Sequence, residues 1–172
     1  WSTLSHYYYQ ARTTTDAKLA ALRAYAADPY LTGADVLLFR LYSTSYDLEQ
    51  FDDARRYCGE IGRRFPASPR AGECRLWLLT TPDAPAPNPG QARELAGAWT
   101  AASPPAQQAV TAVNGQVALA AVLARAGQRD SARQVLAAAL AAPEGQRPDL
   151  APRVAWVYTL LADAPAAVAQ LK

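Results

Sequence analysis

Along this chain apolar positions recur at intervals of three and four, in runs closed by glycine or proline, and no segment alternates apolar with polar residues for long. That period predicts helices over 4–12, 16–27, 34–46, 51–64, 69–80, 90–101, 105–126, 130–141, 150–162 and 165–171. Alanine and leucine dominate the apolar residues, and both lose little on entering a helix, so the expected fold class is all-α. Between residues 81 and 89 the prolines are too dense for a helix. This stretch reads as an extended surface insertion inside one helical hairpin.

Four of the helices share an opening signature, an alanine followed by a basic residue: Ala17-Lys18, Ala54-Arg55, Ala92-Arg93 and Ala132-Arg133. The alanines stand 37, 38 and 40 residues apart, with Ala166 a weaker fifth. Pro29, Pro66 and Pro104 each follow their alanine by 12 residues, and Pro143 follows by 11. A small residue suits a close approach of two helices, and a proline some three turns later ends the second of them. The repeating unit is therefore a helical hairpin.

The residues of this repeat resemble the tetratricopeptide family. Tyr46 to Pro66 looks like the turn and second helix of such a unit, with Phe51 as the aromatic, Ala54 as the small residue and Pro66 as the terminator. Leu119, Ala120, Gly127, Ala132, Leu136 and Ala139 match the same pattern. Arg64 to Leu79 is similar to junctions in bacterial envelope members, such as lipoproteins of outer-membrane assembly. Three spacings here exceed the 34-residue family period. The resemblance implies a tetratricopeptide-like α-solenoid of about four to five hairpins, one domain over residues 1–172, whose first helices line a protein-binding groove. It places Phe39, Arg40, Ser43 and Tyr46 on that groove in one unit, Asn114 and Arg125 in another, and Tyr158 in the last.

A net charge of +2, from 17 basic and 15 acidic residues, argues against nucleic acid as the main partner. Arg55, Arg56, Arg63 and Arg64 fall on one helical stripe and read as a solvated face. The apolar run Val117 to Ala124 is far shorter than the ~20 residues of a spanning helix. The chain contains no methionine and starts at Trp1, which raises the expectation of a removed signal or anchor, or of an upstream part.

Little in the sequence suggests catalysis. His6 is the one histidine, which excludes two-histidine metal motifs, and no cofactor, metal or catalytic residue is expected. Gly59, Gly62 and Gly115 lie inside helices and read as close packing positions rather than a phosphate loop. Cys58 and Cys74 stand eight residues either side of Pro66, so antiparallel helices joined there bring them level. They are either a disulfide, which needs an oxidising compartment, or two buried thiols. Trp1, Tyr7, Tyr8 and Tyr9 gather amphipathic rings at one edge, as an interface or as a cap on the apolar core. Trp77, Trp99 and Trp156 fall on apolar helix faces and belong to the core.

The expected function is a non-catalytic protein-binding scaffold: an extrinsic subunit or adaptor of a bacterial membrane-associated assembly, periplasmic or otherwise extracytoplasmic. Outer-membrane biogenesis, secretion, or an accessory role on a respiratory or photosynthetic complex would each fit. Peripheral membrane association would come through partners or an N-terminal anchor. The alternatives are an accessory repeat region of a larger enzyme and a cytoplasmic location.

Overall fold

Among the described residues, ten α-helices occupy the segments where apolar residues recur at three and four. They are α1 (Ser2–Gln10), α2 (Thr14–Ala27), α3 (Ala34–Asp47), α4 (Phe51–Arg64), α5 (Pro69–Leu78), α6 (Pro89–Ala102), α7 (Gln108–Arg125), α8 (Arg129–Ala141), α9 (Ala151–Leu160) and α10 (Ala164–Ala169). The computed structural model describes residues 1–171; helix makes up 77 % of the protein, and no strand occurs among the described residues. The segment predicted over 105–126 opens as one 3-10 turn, Pro105–Gln107, before the α-helix begins. Two further 3-10 turns, Pro143–Gln146 and Pro148–Leu150, precede α9.

The helix ends follow two rules. Helices α2, α4, α6 and α8 stop two residues before Pro29, Pro66, Pro104 and Pro143, respectively. The intervening Asp28, Phe65, Ser103 and Ala142 all leave the helical region, because a following proline ring disfavours it. Helices α1, α3, α7 and α9 instead end in one recurring left-handed turn, with Arg12 (φ 58°), Glu49 (φ 58°), Gly127 (φ 75°) and Ala162 (φ 59°) in equivalent places. Paired backbone hydrogen bonds close each turn, as where Glu49 N donates to the Tyr46 carbonyl and Gln50 N to that of Ser45. The next helix starts two residues later. Between α5 and α6 the proline-rich segment replaces this turn.

Neighbouring helices pack in pairs, and the alanines of the repeat lie where they meet: Ala17, Ala54, Ala92 and Ala132 are all 0 % exposed. Ala166 is half-buried and its amide is held by the Asp163 carboxylate, while Ala167 takes the buried place.

Close contacts group the chain into two compact units, Trp1–Cys74 and a second from Arg75 onward, a division that falls within α5. In the first, α2 packs against α1 and α3, and α3 against α4, around Leu37, Leu38, Leu41, Tyr57 and Ile61. Lys18, buried in α2, meets Gln50 and Asp53 at the start of α4. Cys58 of α4 and Cys74 of α5 form a disulfide with their Cα atoms 5.7 Å apart.

In the second unit α7 is central, touching α6, α8 and α9, which explains why it is apolar on nearly all sides. Gly115 allows α6 close, since a Cβ there would stand 3.1 Å from that of Ala96. Helix α6 takes α7 as its close neighbour; the expected pairing of segments 69–80 and 90–101 is not among the well-packed pairs. No helix among the described residues is long and apolar enough to cross a membrane.

Candidate functional site

The residues expected to line a groove fall into two groups, one in each unit. In the first unit, α1 lies beside α3 and the two are joined through Arg40. Its guanidinium donates to the Ser2 carbonyl at 3.0 Å and lies 3.5 Å from His6 Nδ1. Ser2, His6 and Tyr9 follow one another at helical spacing and so present one edge of α1 to α3. Burial pulls the Arg40 guanidinium below its ordinary range; the Tyr9 phenol opposes that shift and the positive charge of Arg70 adds to it. No carboxylate among the described residues forms an ion pair with Arg40.

Helix α3 also carries a row of rings that continues into α4. Phe39, Tyr42, Tyr46 and Phe51 form a ladder with centroids 5.4, 6.1 and 5.8 Å apart. Arg70 of α5 sits 6.0 Å above the Phe39 ring and is paired with Asp35 at 3.0 Å. Phe39 and Tyr46 are half-buried, whereas Arg40 and Ser43 are each only 7 % exposed. Ser43 turns its hydroxyl back to the Arg40 carbonyl. Four of the proposed groove residues are thus together on α3, two reaching the surface and two lying beneath it.

The aromatic cluster of α1 divides. Tyr7 is 64 % exposed, Tyr9 39 % and Trp1 58 %, while Tyr8 is half-buried. The Trp1 ring carries the Arg23 guanidinium 4.8 Å from its centroid. Ser5, between these rings, is fully buried and donates to the Ala17 carbonyl of α2 at 3.0 Å, which fixes which edge of α1 faces inward.

In the second unit, Asn114 and Arg125 lie on α7 but serve different neighbours. Asn114 Oδ1 accepts from Arg153 of α9 at 3.1 Å. Arg125 reaches the proline-rich connection and donates to the carbonyls of Leu79, Ala84 and Pro82 at 2.6, 3.3 and 3.4 Å. Tyr158 is half-buried, and its carbonyl receives the Asp163 amide in the turn that ends α9. Arg153 also stands 4.6 Å from the centre of the buried Trp77 ring.

Sequence reasoning did not single out Arg70 or Tyr42, nor the contact of His6 with Arg40. The solvated face expected of the α4 arginines holds only in part: Arg55 and Arg56 pair with Asp52 and Asp53 of the same helix, whereas Arg64, its side chain 22 % exposed, pairs with Glu60 and also reaches the Tyr25 hydroxyl and the Pro29 carbonyl. Compared with known proteins, the chain matches no family model, and no curated protein or solved structure is significantly similar to it.

Proposed function

We propose that this chain is a tetratricopeptide-like helical scaffold that binds other proteins, as an extrinsic subunit or adaptor of a larger bacterial membrane-associated assembly. The observation that carries the reading is the placement of exposed apolar side chains. Among the described residues, nine large apolar side chains are more than a third exposed; seven of them, Trp1, Leu4, Tyr7, Tyr9, Leu19, Tyr30 and Val36, lie within the first 36 positions, and the other two are Val168 and Leu171. Solvated apolar surface concentrated in one stretch of helices suits a protein contact.

Hairpins closed four times by the same left-handed turn support a repeat architecture, in which each unit buries one face on its neighbours and offers another. The disulfide between Cys58 and Cys74 supports an oxidising, periplasmic or otherwise extracytoplasmic location. The test is to purify the protein from its natural source under mild conditions and identify its companions. A stoichiometric protein partner that protects Trp1 and Tyr7 from solvent is the expected result. A protein that runs alone at its own mass, with both rings still exposed, would overturn the reading.

A further inference from the structure

We draw no further inference here: the strongest candidate, the open apolar groove between α6 and α7 lined by Ala96, Gly97, Ala101, Ala112 and Gly115 beside the exposed Arg93, carries none, because it is a seam of small residues and nothing in the structure shows what covers it.

Discussion

Lys18 of α2 and Asp53 of α4 are joined across the first unit by a 2.8 Å ion pair, with the Lys18 side chain 9 % exposed and that of Asp53 40 %. The hydrogen bond from Lys18 holds the Asp53 carboxyl below its ordinary range, with the charges of Lys18 and Arg56 acting the same way and partial burial opposing them. A carboxyl depressed in the folded state contributes stability above its unfolded value, near pH 3.9, and loses it as pH falls through the lower folded value. Asp53→Ala should therefore cost about 1–3 kcal/mol at neutral pH, chiefly because it leaves Lys18 buried without its anion. In denaturant titrations the gap between Asp53→Ala and the parent should narrow below about pH 4. A gap that stays constant down to pH 2 would show that the pair contributes nothing electrostatic.

Cys58 and Cys74, 16 residues apart in sequence, should be recovered as one cross-linked peptide pair in non-reduced mapping. In the chain-entropy account a loop of this length stabilises the fold by roughly 3 kcal/mol, and both residues are at most 2 % exposed. The double variant Cys58→Ala/Cys74→Ala should lose about that much in guanidinium titrations while keeping its helical circular dichroism. An unchanged midpoint would show that the bridge is not a structural staple.

The helices were legible because local signals agree with one another here: period, small residue, terminating proline and Ala/Leu content all select the same segments. Pre-proline residues such as Phe65 and Ser103 made the ends of second helices predictable to within two residues. The left-handed turns were less visible. Glycine marks the one at Gly127, but Arg12, Glu49 and Ala162 adopt the same conformation without the residue that would announce it. The candidate site was legible only in part, because spacing identifies a stripe and not its depth. Arg40 and Ser43 share the stripe of Phe39 and Tyr46 but are covered through α1, a long-range contact that no local pattern encodes. Arg125 was read as a surface residue for the same reason, since the carbonyls it meets lie more than forty residues earlier in the chain.

The repeat alanines should tolerate no added volume. Ala54→Leu and Ala132→Leu, both at 0 % exposure, should each destabilise by about 1–3 kcal/mol through overpacking. The exposed Arg133→Ala, beside one of them, should stay within about ±0.5 kcal/mol. Thermal melts of the three variants check this, and alanine variants that melt like the parent would show that these contacts are loose.

Two glycines should respond with opposite sign to the same change. Gly59 sits in α4 with nothing within 4 Å of where a Cβ would go, so the expected close packing is absent and Gly59→Ala should stabilise by about 0.5–1 kcal/mol through helix propensity. Gly127 also has open space but holds φ at 75°, and Gly127→Ala should destabilise by about 1 kcal/mol. Denaturant midpoints moving in the same direction would contradict this account.

Arg125 determines the order of the proline-rich connection. Its guanidinium gathers three carbonyls, those of Leu79, Pro82 and Ala84, from a segment whose prolines cannot supply amide donors of their own. One further restraint is the turn in which Ala84 N donates to the Thr81 carbonyl at 3.1 Å. Arg125→Met keeps most of the aliphatic stem and removes all three bonds, so α7 should remain folded while the connection loosens. Hydrogen–deuterium exchange should then show faster exchange at the Ala84 amide, and limited proteolysis should cut between residues 81 and 88 sooner than in the parent. Global stability should fall by only about 1–2 kcal/mol, the scale of a few partly exposed hydrogen bonds. If Arg125→Met instead unfolded the whole chain, the connection would be part of the cooperative core rather than a tethered loop.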